Sequence, residues 1–129
     1  MALILVVEDD PANAVLVQTL LNRDGHQVLL AADGEAALDI ARRRRPEVVL
    51  LDVSLAGDLT GFDVCRALRA EPGTAGAGIL MLSGWAFDCD IEAGRAAGAD
   101  GYVAKPFSAA DLRSRIHALL VRTGAPKQS

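Results

Sequence analysis

Four apolar runs in this chain stop abruptly at residues that could share one phosphate-and-metal site. Residues 2–7 run into Glu8, Asp9 and Asp10, and residues 48–51 into Asp52. Residues 79–82 end in Ser83, and residues 101–104 in Lys105 and Pro106. Clustered carboxylates attract a hard cation, and oxygen ligands that retain several waters describe Mg²⁺. A carboxylate can also attack phosphorus and form an aspartyl-phosphate, which makes Asp52 the candidate nucleophile. Phosphoryl transfer needs in-line positioning and charge neutralisation more than acid–base work. Mg²⁺ held by Asp9, Asp52 and a backbone carbonyl near Ser54 would supply one positive partner. Lys105 would supply the other, and the Ser83 hydroxyl could donate to a phosphoryl oxygen. Nucleotide-binding folds put a glycine-rich loop after the first strand. Here that turn is acidic, which argues against a dinucleotide cofactor.

These residues share a site only if the runs before them are parallel neighbours. The runs fall at residues 2–7, 27–31, 47–51, 78–82 and 101–104, and are rich in Val, Leu and Ile. Their lack of alternation reads as strands covered on both faces. Helix signals lie between them. Asp10-Pro11 is an N-cap followed by proline, ahead of Leu16, Leu20 and Leu21. Asp33-Gly34-Glu35 opens a second helix with Ala37, Leu38 and Ala41 facing in. Thr60-Gly-Phe-Asp63 is a capping-box pattern ahead of Phe62, Cys65 and Leu68. Ser108-Ala-Ala-Asp111 is another, ahead of Leu112, Ile116, Leu119 and Leu120. A weaker helix falls around residues 89–97, interrupted by Gly94. Gly25 and Gly98 suit helix C-terminal positions.

Five alternating units predict a three-layer α/β/α sandwich with right-handed crossovers. Ligands of such sheets bind beyond the carboxyl ends of the strands, and both common doubly wound orders put a crevice beside the first strand.

The chain has 129 residues, enough for one domain with a real core, and a net charge of −4. That charge carries no footprint for nucleic acid, so no direct nucleic-acid contact is expected. The basic run at residues 42–45 reads as a solvated helix end. Cys65 and Cys89 have no disulfide or zinc spacing, and Cys65 reads as core. No targeting segment or spanning run is evident. A cytoplasmic protein with no membrane contact is expected.

The chain resembles the receiver domains of bacterial two-component response regulators over residues 2 to about 121. The resemblance rests on Ile4-Leu-Val-Val-Glu-Asp-Asp-Pro11, on Val49-Leu-Leu-Asp-Val-Ser-Leu55 with Gly57 and Gly61-Phe62, on Met81-Leu-Ser-Gly84, and on Gly98-Ala-Asp-Gly-Tyr-Val-Ala-Lys-Pro-Phe107. It implies a flavodoxin-like strand order 2-1-3-4-5 and a receiver domain over residues 1–122; residues 123–129 read by composition as a short polar tail. It implies that Glu8 and Asp9 are the Mg²⁺-binding acidic pair, with Asp10 outside it as a cap. Asp52 would be the phosphoacceptor, Ser83 the switch hydroxyl and Lys105 the phosphate-binding lysine, with a cis bond to Pro106. Tyr102 would change rotamer on activation. The output face would be the fourth helix, fifth strand and fifth helix. A sensor histidine kinase or histidine phosphotransfer protein would be the donor, and an unknown protein the downstream partner of a monomer or weak dimer. No enzymatic activity is implied beyond self-phosphorylation and self-dephosphorylation.

Some positions depart from the family pattern. Ala56 stands where proline is usual, and the loop at residues 57–61 is one residue longer, which bears on the kinase contact. Ser54 and Trp85 occupy positions that influence the lifetime of the phosphorylated state, and Trp85 there is unusual. Gly84 is small and leaves access to Asp52. A stand-alone receiver is expected, and the alternative is a module excised from a larger hybrid kinase or regulator. A haloacid-dehalogenase-type phosphatase would carry its nucleophile after the first strand. A flavodoxin-like carrier is opposed by the acidic first turn, and a degenerate scaffold by the intact acidic set.

Overall fold

The apolar runs do form strands, and all five lie side by side. The computed structural model describes residues 2–53, 55, 57–83, 88–104 and 108–122. Strands β1 (Leu3–Val7), β2 (Gln27–Ala31), β3 (Val48–Asp52), β4 (Gly78–Ser83) and β5 (Gly101–Ala104) alternate with helices. The helices are α1 (Pro11–Arg23), α2 (Gly34–Arg44), α3 (Gly61–Ala70), α4 (Asp88–Ala97) and α5 (Ala109–Arg122). Every strand pair is parallel, in the order β2-β1-β3-β4-β5. The expected sandwich and strand order are both present. No helix among the described residues is long and apolar enough to cross a membrane.

Side chains alternate across a strand, so each strand feeds two cores. Leu5, Val7, Val49, Leu51, Ile79 and Met81 bury against Ala37, Leu38 and Ala41 of α2 and Val64, Cys65 and Leu68 of α3. Ile4, Val6, Val48, Leu50, Leu80 and Leu82 bury against Val17 and Leu21 of α1 and Leu112, Ile116 and Leu119 of α5. This double burial is why the strand sequences do not alternate.

The caps form where their residue types predict. Asp10 accepts a hydrogen bond from Ala12 N at 3.0 Å, and Asp33 from Ala36 N at 2.8 Å. Ser108 Oγ accepts from Asp111 N at 3.0 Å. Gly25 and Gly98 take left-handed φ values of 87° and 105° at helix ends, a conformation costly to any residue with a Cβ. The basic helix end is solvated: Arg42 pairs with Glu71 at 2.9 Å and Arg43 with Asp39 at 3.0 Å.

One packing expectation fails in part. Leu21 is buried as expected, but Leu16 is 53% exposed and Leu20 only half-buried, and α1 buries Ala14 and Val17 in their place. The sheet meets the line of α1 that runs through positions 14, 17 and 21, and Leu16 falls outside it.

The capping box at α3 titrates. Thr60 N donates to Asp63 Oδ2 at 3.0 Å and Asp63 N donates to Thr60 Oγ1 at 3.2 Å. That backbone hydrogen bond, with Arg66 beside it, holds the Asp63 carboxyl below its ordinary range. A lowered carboxyl pKa stabilises the fold above the unfolded value, and the gain is lost as pH falls through the folded value. Urea midpoints measured downward from about pH 4 should therefore fall less steeply in Asp63→Asn than in the wild type. Parallel pH profiles would refute this role.

Candidate phosphoryl and metal site

The site lies where the even-numbered rows of β1 and β3 run out. Positions 4, 6 and 8 of the first run and 48, 50 and 52 of the third share one side of the sheet by strand periodicity. Glu8 extends the β1 pairing, with its N–H donating to Ala31 O at 3.0 Å. Asp52 is the last residue of β3 and stands opposite Leu82 of β4. Carboxylate oxygens of Glu8, Asp9 and Asp52 all lie within 4.8 Å of one another. Glu8 and Asp52 are buried, at 4% and 6% exposure, while Asp9 is more open to solvent. Glu8 Oε2 also accepts from Asp10 N at 3.2 Å, and Asp10 itself turns outward to cap α1.

This arrangement favours a cation. Two unit charges at about 5 Å repel by about 3 kcal/mol at an effective dielectric of about 20. A divalent ion shared by the three offsets that repulsion, and an all-oxygen donor set suits Mg²⁺. The residues present therefore fit such an ion.

The chain beyond Asp52 is held close to α3. Gly61 N donates to Val53 O at 3.1 Å. A Cβ on Gly61 would collide with the backbone oxygen of Asp52 and come within 2.9 Å of Val53 Cα. The glycine thus lets the N-terminus of α3 press directly on the turn that carries Asp52. Gly57 in the intervening loop has a left-handed φ of 97°.

Other expected site residues are placed in part. Ser83 is the last residue of β4, one position past Leu82, which stands opposite Asp52. Tyr102 is half-buried in β5, opposite Met81, and packs against the apolar cluster under α2 and α3. Lys105, its bond to Pro106, the Ser54 carbonyl, Ala56, Gly84 and Trp85 lie outside the described residues, as does the Ser83 side chain. Cys65 is core, as expected. Burial pushes its thiol up to about 11, and its Sγ meets Ala97 O at 3.3 Å.

A network at the other end of the sheet was not foreseen. Arg69 Nε donates to Gly98 O at 2.8 Å, Nη1 to Ala75 O at 2.7 Å and Ala77 O at 2.5 Å, and Nη2 to Asp100 Oδ2 at 2.8 Å. Asp100 Oδ2 also accepts from Ile79 N at 2.8 Å. Thr74, only 4% exposed, donates to Leu68 O at 2.7 Å. A charged residue one position after Leu68 on a packed helix was the one available signal.

A family model for the response regulator receiver domain matches residues 4–117. The chain belongs to that family. The receiver domain of the sensor histidine kinase PA1611 of Pseudomonas aeruginosa PAO1 is 34% identical, with a TM-score of 0.84 and coverage of 96% of this chain and 98% of that one. Its crystal structure has a magnesium ion coordinated in the active site cleft. The probable transcriptional regulatory protein TcrX of Mycobacterium tuberculosis is 44% identical over 121 residues, which is 94% of this receiver and 50% of TcrX. The DNA-binding response regulator MtrA of Mycolicibacterium smegmatis is 42% identical over 119 residues, 92% of this receiver and 50% of MtrA. The chain spans about half the length of these curated relatives.

These relatives overturn one expectation. The absence of direct nucleic-acid contact, argued from net charge, does not stand beside a 42% identical relative named as DNA-binding. A charge of −4 is a sum over these 129 residues. It limits only what they attract by long-range electrostatics.

Proposed function

We propose that this receiver is a phosphoacceptor switch, with Asp52 taking a phosphoryl group from a phosphohistidine on a sensor kinase or phosphotransfer protein. The convergence of Glu8, Asp9 and Asp52 within 4.8 Å at the carboxyl edge of a receiver fold carries the reading. An Asp52 oxygen forms the new P–O bond as the P–N bond breaks, and the electron pair stays on the imidazole. Glu8, Asp9 and Asp52 would hold Mg²⁺, which supplies positive charge to phosphoryl oxygens when bound. The buried position of Asp52 limits access of bulk water to the adduct. Lys105 and Ser83 would contact the phosphoryl group, as the family resemblance implies.

Phosphorylation adds charge and three acceptor oxygens at one point. In this reading they shift a pre-existing equilibrium in which Ser83 and Tyr102 change position and the α4, β5 and α5 face is altered. The chain turns over no separate substrate. Its relatives are named as transcriptional and DNA-binding regulators, which supports transcription as the output of a protein that contains this receiver.

Intact mass after incubation with a small-molecule phosphodonor tests the reading. The wild type should gain one phosphoryl group with Mg²⁺ and none with chelator, and Asp52→Ala should gain none. An equal adduct on Asp52→Ala would sink the assignment.

A further inference from the structure

We propose that Gly94 is a positioning residue for Tyr102, keeping clear the space its ring needs when Asp52 is phosphorylated. The inference rests on the phosphoacceptor reading and deepens it.

Glycine is the least favourable residue after proline in a helix interior. Gly94 nevertheless sits inside α4. Its φ is not among the left-handed glycine values, which belong to Gly25, Gly57 and Gly98. No turn therefore demands it. A Cβ there would stand 3.4 Å from Met81 Cγ, 3.7 Å from Phe62 Cε1 and 3.9 Å from Tyr102 Cδ2. These are ordinary contact distances, so alanine fits this conformation and would pack well in it. Neither backbone nor packing in this state explains the glycine.

The neighbour that the switch moves does explain it. The Tyr102 ring lies at a boundary. On one side it packs against the apolar cluster under α2 and α3. On the other it lines a cavity of about 290 Å³ with Gly94, Arg95, Gly101 and Arg115. A methyl group at position 94 would stand against the ring at that boundary. Helix α4 is also tied down there. Arg69 holds Gly98 O at 2.8 Å, and Cys65 Sγ meets Ala97 O at 3.3 Å. The helix end cannot retreat from an added methyl without breaking those contacts. The side chain at 94 thus sets how freely Tyr102 moves.

The test is a double-mutant cycle with two readouts. Wild type, Gly94→Ala, Tyr102→Leu and the double variant are melted, then titrated with beryllofluoride at saturating Mg²⁺ by calorimetry. Gly94→Ala should melt about 3 °C higher, because the helix gains a better former. It should bind beryllofluoride about fivefold more weakly, because the conformation that ligand selects is disfavoured. In the Tyr102→Leu background the same change should leave affinity within about twofold. Unchanged affinity in Gly94→Ala overturns the proposal. So does an equal loss in both backgrounds, since the effect would then not pass through the ring. If the wild type titrates no better than Asp52→Ala, the phosphoacceptor reading fails first, and this inference falls with it.

Discussion

Gly61→Ala should lower the unfolding free energy by about 3 kcal/mol and sharply reduce Mg²⁺-dependent phosphorylation. The added Cβ meets the Asp52 carbonyl oxygen and carbon and Val53 Cα. All three are backbone atoms, so no side-chain rotation relieves the contact. Either α3 tilts away from the sheet or the end of β3 shifts. The first opens the packing of Val64 and Cys65, which are fully buried. The second moves Asp52 relative to Glu8 and Asp9, and positioning errors of about 1 Å cost about a hundredfold in rate. Gly76→Ala is the control, since a Cβ there meets nothing within 4 Å. Urea unfolding and phosphorylation rate measured on both variants decide the matter. A Gly61→Ala protein as stable and as readily phosphorylated as Gly76→Ala would show that the approach of α3 to β3 is unimportant.

Arg69→Met should cost about 3 kcal/mol of stability while leaving the acidic site in place. Methionine keeps the aliphatic stem but removes the hydrogen bonds to Gly98, Ala75, Ala77 and Asp100. The pair is well shielded, with Arg69 23% and Asp100 13% exposed, so solvent replaces little of what is lost. Breaking one side of such a pair is worse than removing both. Arg69→Met with Asp100→Asn should therefore recover part of the loss, because Asn can still accept from Ile79 N. Thermal unfolding of the two single variants and the double variant tests this. A loss below about 1 kcal/mol would place the network among surface pairs of little consequence. The exposed pairs Arg43–Asp39 and Arg95–Glu92 belong to that weaker class.

Much of this molecule was legible from residue order alone. The runs at 2–7, 27–31, 47–51, 78–82 and 101–104 match the strands to within a residue at each end. The caps at Asp10, Asp33, Thr60 and Ser108 formed as their types and spacing predict. Both signals are local: a strand buried on two faces must be apolar throughout, and a cap needs only an oxygen near the next turn. The acidic set was also legible, because each member sits at a strand end or within two residues past it, and the sheet brings strand ends together.

What tertiary structure alone decided involves distances between segments far apart in the chain. Which face of α1 turns inward depended on where the sheet lay, so Val17 took the place expected for Leu16. The Arg69 network links residues up to 31 apart, and no local pattern marks such partners. The necessity of Gly61 comes from the backbone of β3 pressing on its α-carbon, and the room at Gly94 from Met81, Phe62 and Tyr102. Sequence by itself determined the elements, their order and the chemistry of the acidic edge, because those follow from local preference and burial. Folding alone determined how closely the elements approach one another, because close packing depends on side chains that meet only in three dimensions.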